Sequence, residues 1–405
     1  MARPYTERKN TMTTETSLYE LLDSRYEEMV EIRRHLHQHP ELSFEEENTP
    51  AYIADYHEKL GLEVQTKVGG RGVVSTLKGG RPGPVVALRA DFDALPIHEQ
   101  TGLPFSSKVD GVMHACGHDG HTATLLVLAK CLTEMKEDIE GTVVFIHQHA
   151  EEFAPGGAIE MINDGCLKGV DVIFGTHLWA TTPYGTVQHC TGPMMAAADR
   201  FEIKILGQGG HGAMPHLTKD AVLIGSQLVT QIQQIVSRYV DPQKPAVVSI
   251  GSFEASNAFN VIADSAKLIG TVRTFDADVR DLIEKELEVI TNGIVSSWGA
   301  EADFNYYRGY PPVVNHENET AYLAACASAV PGVEKTEEMK PEMGGEDFAY
   351  YLENVKGSFF FTGAENPEWT KTYPHHHPKF DIDERAMLTA AKVMAKAVVD
   401  YPGQV

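Results

Sequence analysis

Residues 84–93, PVVALRADFD, decide the fold that the sequence predicts. Their apolar first part is typical of a buried strand. Apolar residues at i, i+3 and i+4 spacing predict a helix over 122–135, and further strands are predicted over 142–147 and 171–175. Because strands that alternate with helices build a mostly parallel sheet covered by helices, we expect an α/β fold.

Polar side chains follow these strands at the points where such a sheet binds its ligands. Asp91 and Asp93 follow the first strand, Glu151 and Glu152 lie just beyond the second, and His177 closes the third. Ligands of parallel sheets bind at the carboxyl ends of the strands. Segments far apart in the sequence are therefore expected to converge on one crevice.

The middle of the chain has a different order of elements. It predicts strand, helix, strand, strand, helix and strand over 201–206, 219–240, 246–253, 266–274, 276–297 and 302–307. This is the ferredoxin-like order. We therefore expect an inserted α+β domain over 193–307, and a larger α/β domain made of 1–192 and 308–405.

Composition and charge exclude several classes of function. The 34 Lys and Arg against 57 Asp and Glu give 34 − 57 = −23, a charge that repels nucleic acids and anionic membranes. An odd set of five cysteines without a CxxC pair argues against a disulfide framework, and no apolar run suits a signal peptide or a membrane span. We expect a cytoplasmic protein. Met12 could be the native start, which would make the first eleven residues foreign.

Residues 113–121, MHACGHDGH, place Cys116 and His118 two apart in a loop that opens a helix. Both side chains can face one metal ion from such a loop. One alternative is a buried, inert thiol beside a capping Asp119, since free cysteines are often core residues. Another is a Cys-His nucleophilic pair, which would need an orienting third residue and an oxyanion hole. The carboxylates described next fit a metal better.

The adjacent carboxylates of Glu151 and Glu152 strengthen the metal hypothesis. Two neighbouring carboxylates in a half-buried site repel each other unless a cation compensates them. A solvated loop is the alternative, but His177 on the next strand favours the metal. In such sites one carboxylate binds metal while the other handles the proton of the attacking water.

Three other histidine-containing stretches are weaker candidates. His375, His376 and His377 follow an apolar strand and are expected at the same crevice edge. The run of His35, His37 and His39 is more typical of a helical surface than of metal ligands. His211 lies in a glycine-rich turn of the predicted insert, where a histidine is more often only part of the turn.

Seven ordered motifs together carry a family resemblance. They are RRHLHQHPE (33–41), ADFDALP (90–96), CGHDGH (116–121), the paired glutamates, GHGA (210–213), GGEDF (344–348) and HHP (376–378). The chain resembles the metallopeptidase family of aminoacylases and carboxypeptidases. Within it, the bacterial N-acyl-amino-acid amidohydrolases, hippurate hydrolases and plant auxin-conjugate hydrolases are most similar.

The resemblance implies a phosphorylase/hydrolase-like catalytic domain that cleaves the amide of N-acyl amino acids with water activated by two metal ions. By position, the metal ligands are Cys116, His118, Glu152, His177 and His376. Glu151 matches the general base. Asp93 would contact the ligands and orient them.

The resemblance also gives roles to the inserted domain, which serves as a dimerisation and lid domain in the family. His211 matches a histidine that one subunit lends to the oxyanion of its neighbour, so a homodimer or a dimer-based oligomer is expected. Asn260, Arg273 and Gly345 match substrate-binding positions, and a guanidinium suits a substrate carboxylate.

Two points stay open at the level of sequence. The ligand set suits Mn²⁺ or Zn²⁺ and would also hold Co²⁺ or Ni²⁺. A dipeptidase or carboxypeptidase of the same family is an alternative to the amidohydrolase, and a metal-dependent binder without turnover is an alternative of another class.

His149 stands where similar proteins often have proline, which puts the shape of the acyl pocket in doubt.

Overall fold

The computed structural model describes residues 14–401, so the alternative start at Met12 lies outside the described residues. The α-helices are α1 (Thr14–Ser24), α2 (Tyr26–Gln38), α3 (Asn48–Lys59), α4 (His118–Glu134), α5 (Gly157–Asn163), α6 (Ala221–Ile232), α7 (Ala277–Ser297), α8 (Glu317–Ala329), α9 (Ala349–Asn354) and α10 (Arg385–Asp400). The strands are β1 (Glu63–Val68), β2 (Gly72–Lys78), β3 (Arg81–Asp91), β4 (Glu140–Gln148), β5 (Val172–Pro183), β6 (Thr186–His189), β7 (Gly192–Met195), β8 (Ala197–Leu206), β9 (Gly210–His211), β10 (Ala246–Glu254), β11 (Val261–Ile262), β12 (Ser265–Thr274), β13 (Glu301–Tyr307), β14 (Val313–Asn315), β15 (Lys335–Glu338) and β16 (Gly357–Glu365).

The chain divides into two compact units. The first contains the described residues up to Thr191 together with 315–339 and 351–401, and the second contains 192–314 and 340–350. The second unit is thus larger than the predicted 193–307. Its additional segment, 340–350, is held by backbone hydrogen bonds, because the Ala196 amide donates to the carbonyls of Glu342 (3.1 Å) and Gly344 (2.9 Å).

The first unit is built on an eight-stranded mixed sheet of order β1-β2-β4-β3-β5-β16-β6-β15. Its four central strands β4, β3, β5 and β16 run parallel. β6 pairs antiparallel with β16, and β1 and β2 form an antiparallel edge beside β4. The predicted α/β fold with a mostly parallel sheet is confirmed. Parallel central strands bring their carboxyl ends to one edge, which is where the polar residues lie.

Helix α4 is the centre of the core of the first unit. Its leucines Leu125, Leu126 and Leu128 are fully buried, and it packs against α2, α10 and β3. A buried leucine contributes about 2 kcal/mol to folding. The helix begins at His118, so burial of its apolar residues fixes the position of that imidazole.

The second unit contains an antiparallel sheet of order β10-β12-β8-β13, with α6 and α7 packed on it. The predicted ferredoxin-like order is present. The helix predicted over 219–240 is shorter in the structure, where α6 runs from Ala221 to Ile232. It begins after Asp220, whose carboxylate accepts hydrogen bonds from the amides of Val222 (3.0 Å) and Leu223 (3.2 Å). A separate π-helical turn, Ile235–Tyr239, follows it.

Among residues 14–401, no helix combines the length and the apolar character that crossing a membrane requires.

Candidate metal centre

The predicted site residues of the first unit come from five segments at the carboxyl edge of the sheet, one of which is the loop of Cys116 and His118. Asp91 ends β3, the paired glutamates follow β4, and His376 lies in the loop after β16. His177 lies inside β5, opposite Phe361 of β16, and does not end the strand as the sequence suggested. The strand is longer than predicted because it continues to Pro183 beside β16.

A left-handed glycine positions the Cys116 and His118 pair. Gly117 lies at φ +97°, a conformation that glycine adopts without steric cost, and the helix begins at the next residue. The turn directs the Cys116 thiol toward β5, where Sγ lies 3.3 Å from Nε2 of His177. The Nδ1 of His177 contacts the Leu178 carbonyl at 3.1 Å. Nε2 of His177 is therefore the nitrogen that faces Cys116.

His376 enters the same cluster through a strained backbone. It lies at φ +64°, and its amide donates to the Ala115 carbonyl at 2.8 Å. Its Nε2 lies 3.2 Å from Oε1 of Glu152. Left-handed conformations are uncommon for residues with a side chain and often occur at functional sites.

His118 points a nitrogen without a hydrogen bond into the cluster. Its Nδ1 lies 3.0 Å from the carbonyl and 3.1 Å from Oδ1 of Asp93, which fixes the proton on Nδ1. Its Nε2 is buried without a hydrogen-bond partner among the described residues, 3.9 Å from Oε1 of Glu152 and 4.0 Å from Oε2 of Glu151. A buried ring nitrogen that faces two carboxylates without a hydrogen bond is unfavourable unless a proton or a metal cation lies between them.

Asp93 connects His118 to the paired glutamates. Besides contacting His118, its carboxylate accepts hydrogen bonds through Oδ2 from the Ser43 hydroxyl (2.7 Å) and from the Glu152 amide (2.9 Å). It is 1% exposed. The predicted orienting role of Asp93 matches this geometry, since a single carboxylate fixes both an imidazole and the backbone of the glutamate pair.

The electrostatics of the cluster also favour bound cations. Burial alone would lower the pKa of His118, but Asp91 and Asp93 outweigh it and raise the pKa to about 10. Burial raises the pKa of the Cys116 thiol well above its usual value, and Glu152 and Glu151 raise it further. A divalent cation reverses this effect, because a coordinating thiol is deprotonated.

Three of the groups that could hold a metal ion overlap and consist of predicted site residues. They are Cys116, His118 and His177; Cys116, Glu152 and His376; and His118, Glu151 and Glu152, each with its atoms within 4.8 Å of one another. Because the first two groups share the cysteine, they can hold two neighbouring ions. Thiolate, imidazole and carboxylate are all donors that divalent transition metals accept.

Sequence reasoning did not find the role of Asp91 and His121. The Asp91 carboxylate contacts Nη1 of Arg89 (2.7 Å) and Nδ1 of His121 (2.6 Å), while the Leu178 amide donates to Nε2 of His121 (2.9 Å). Both nitrogens of His121 therefore have partners, one on β3 and one on β5, so that its ring links these two strands. The position of Asp91 at the end of β3, two residues before Asp93, was the sequence signal for this role.

Two other candidate histidines have partners of their own. Nδ1 of His37 lies 2.8 Å from Oδ2 of Asp119, and Arg33 contacts the same oxygen at 3.2 Å. The ring of His35 stacks on Tyr52. His37 therefore connects α2 to α4, and His35 connects α2 to α3.

The second unit contains the remaining predicted site residues. His211 is exposed and pairs with Val261 across a short antiparallel ladder, and its Nδ1 accepts from the Ala213 amide at 3.0 Å. Asn260 is next to this ladder, and its carbonyl accepts from the Gly212 amide at 2.8 Å. The fold of the unit thus brings His211 and Asn260 together.

Arg273 lies half-buried on β12, where its Nη1 donates to the Val272 carbonyl at 3.1 Å and also contacts Thr271. It forms no ion pair with any described residue. Burial lowers the pKa of its guanidinium. A Cβ atom added at Gly345 would lie 2.8 Å from the Cβ atom of Ala198 on β8. A larger residue at this position would therefore displace β8.

Comparison with known proteins agrees with this geometry. Residues 87–400 match the model of peptidase family M20/M25/M40. YhaA of Bacillus subtilis (strain 168) is 60% identical over 389 residues, which cover 96% of this chain and 98% of YhaA. The N-acyl-L-amino acid amidohydrolase of Geobacillus stearothermophilus is 48% identical over 304 residues, covering 75% and 82%.

The description of one solved structure states how many metal ions a relative binds. The Bacillus subtilis YXEP protein, described as a dinuclear metal binding peptidase from the M20 family, superposes with a TM-score of 0.81 at 37% identity, covering 95% of this chain and 100% of that one. These matches confirm the predicted resemblance, the fold class and the assignment to metal-dependent hydrolases of amides. The chain belongs to peptidase family M20/M25/M40.

Proposed function

We propose that this protein hydrolyses the amide of N-acyl amino acids to a carboxylic acid and a free amino acid. Cys116, His118, Glu152, His177 and His376 would hold two divalent metal ions. The observation that carries the proposal is the buried Nε2 of His118, which faces Glu151 and Glu152 and has no hydrogen-bond partner within residues 14–401. Bound metal ions supply positive charge that activates water and polarises the scissile carbonyl.

Glu151 is the proposed general base. Its carboxylate is 6% exposed and adjoins the proposed ligand Glu152 in the sequence. From this position it accepts the proton of the attacking water and delivers it to the nitrogen of the leaving amine. Asp93 keeps the proton of His118 on Nδ1, so that the other nitrogen stays available to a metal.

The second unit would recognise the amino-acid part of the substrate. Arg273 forms no ion pair among the described residues, because the nearby Asp199 pairs with Arg280, and a partly buried guanidinium without an ion pair favours an anionic ligand. We assign the substrate carboxylate to Arg273 with Asn260, and assign close backbone contact with substrate to Gly345. These assignments are supported by the family membership and by the unpaired guanidinium.

The native metal is proposed to be zinc or manganese. The cysteine ligand favours zinc, while the carboxylates and imidazoles also suit manganese, cobalt and nickel. Metal analysis of the purified protein would identify the ion.

We place the enzyme in the cytoplasm. All five cysteines lie within the described residues and are buried thiols outside any disulfide, which suits a reducing compartment.

A panel of substrates tests the proposed reaction. The metal-loaded protein is offered acetyl, benzoyl and aminoacyl derivatives of one amino acid, and release of the free amino acid is measured. Faster turnover of the acetyl or benzoyl derivative is expected. Preference for the aminoacyl derivative would instead indicate a dipeptidase or carboxypeptidase, and no turnover of any derivative would indicate a binder.

The proposed homodimer gives His211 a role across the interface, where it would stabilise the oxyanion of the neighbouring subunit. His211→Ala and Glu151→Gln subunits are each expected to be inactive as homodimers. In a mixed dimer, one of the two sites receives both an intact Glu151 and an intact His211. Mixing equal amounts should therefore restore about a quarter of wild-type activity.

The complementation experiment uses dimers that have been dissociated and reassembled. Unmixed variants taken through the same steps serve as controls. Activity that stays at the level of the unmixed variants would assign His211 to its own subunit or to a purely structural turn.

A further inference from the structure

The residue before Glu151 and Glu152 has a strained backbone. Ala150 lies at φ +52°, which is uncommon for a residue with a Cβ. β4 ends at Gln148, so the chain changes direction here and then presents Glu151 and Glu152. Such a conformation persists only where surrounding contacts enforce it.

One of those contacts comes from a distant part of the sequence. Oε1 of Glu46 accepts a hydrogen bond from the Ala150 amide at 2.9 Å, across a separation of 104 residues. The Ala150 carbonyl in turn accepts from the Gly157 amide at 3.1 Å. Both polar backbone groups of Ala150 are thus fixed, and Glu46 provides the only side chain among these contacts.

Glu46 is itself held firmly. It is fully buried, and its Oε2 has no hydrogen bond to the part of the chain that the structure describes. This oxygen lies 3.9 Å from Nε of Arg71, whose guanidinium also donates to the Glu46 carbonyl. The same short segment contributes Ser43, which donates to Asp93. Residues 43–46 therefore contact the site at two places, one beside His118 and one beside the glutamate pair.

We propose that Glu46 is a positioning residue, which holds Ala150 in its left-handed conformation and thereby fixes the directions of Glu151 and Glu152. It is not expected to touch substrate or metal. This inference rests on the proposed function, because it gives the two glutamates their roles as base and ligand. The essential feature is an acceptor oxygen at the right distance, and a glutamine would supply one.

Two substitutions of Glu46 that keep its length but differ in the acceptor oxygen distinguish the positioning role from simple packing. Glu46→Gln keeps the acceptor, whereas Glu46→Met keeps the length and removes it. Glu46→Asp keeps a carboxylate but shortens its reach. Glu47→Met is the matched control, because Glu47 is the exposed neighbour in the same segment.

Two properties are measured for each variant in the full chain. The affinity for Zn²⁺ is measured by competition with a chromophoric chelator, and kcat and KM are measured on the best N-acyl amino acid. Glu46→Met should lose about 10-fold or more in both metal affinity and kcat, with KM changed by less than about 3-fold. Glu46→Gln and Glu47→Met should stay within about 3-fold of wild type in every quantity.

Two results would overturn the proposal: wild-type behaviour of Glu46→Met, or equal damage from Glu46→Gln and Glu46→Met. If Glu46→Met does not fold, Glu46→Asp is compared with Glu46→Gln, and equal values for that pair would also overturn it. If wild type cleaves no N-acyl amino acid, the proposed function fails, while the zinc affinities still decide the role of Glu46.

Discussion

Glu151→Gln is expected to lose about 10³-fold in kcat on N-acyl amino acids while it keeps its full metal content. The amide has the size of the carboxylate but cannot accept the proton of water. Because Glu151 adjoins the proposed ligand Glu152 and is not itself one of the five proposed ligands, the ions should stay bound. Steady-state kinetics and metal analysis of the same sample measure both properties.

Glu152→Gln is the matched control for this prediction, since it makes the same chemical change one residue later. It should lose metal as well as activity, because Glu152 faces both His118 and His376. If Glu151→Gln loses metal and Glu152→Gln keeps it, the two carboxylates have the opposite roles. Activity near wild type in Glu151→Gln would show that another group is the base.

Removal of the metals with a strong chelator is expected to reduce hydrolysis to background and to destabilise the fold. Without cations, the buried carboxylates of Asp93 and Glu151 and the buried Nε2 of His118 lose their compensating partners. A ligand present at 1,000 times its Kd stabilises the folded state by about 4 kcal/mol per site. The melting temperature should therefore fall when chelator is added and recover with added Zn²⁺ or Mn²⁺.

A variant that lacks part of the site provides the control for chelation. His118→Asn removes the buried nitrogen, so chelator should change its melting temperature much less than that of wild type. An equal fall in both proteins would place the stabilising metal elsewhere. Hydrolysis that survives complete metal removal would contradict the metal-dependent reaction.

Sequence patterns predicted the main parts of the fold because each part has a local signal. Alternating strands and helices indicated the parallel sheet, and Asp220 and Asp276 cap the two helices of the predicted insert. The site was also predictable in outline, since Cys116 and His118 share one loop and Glu151 and Glu152 are adjacent. The strand pattern placed His177 and His376 at the crevice edge, but their roles as ligands required the resemblance, because nothing local connects them to that loop.

Other features depend on contacts between distant residues, which the sequence does not display. The hydrogen bonds of His121 to Asp91 and to the Leu178 amide link β3 to β5. The hydrogen bond from Ala150 to Glu46 likewise appears only after folding. The segment 340–350 joins the second unit through backbone hydrogen bonds to Ala196, which no side-chain pattern predicts.

The central claim is that five side chains from distant segments hold two metal ions beside Glu151. Anomalous X-ray diffraction at the absorption edge of the bound metal tests it most directly, in crystals of the metal-loaded protein. We predict two anomalous peaks in each chain, both contacted by residues among Cys116, His118, Glu152, His177 and His376. A single peak, or peaks contacted by other residues, would contradict the claim.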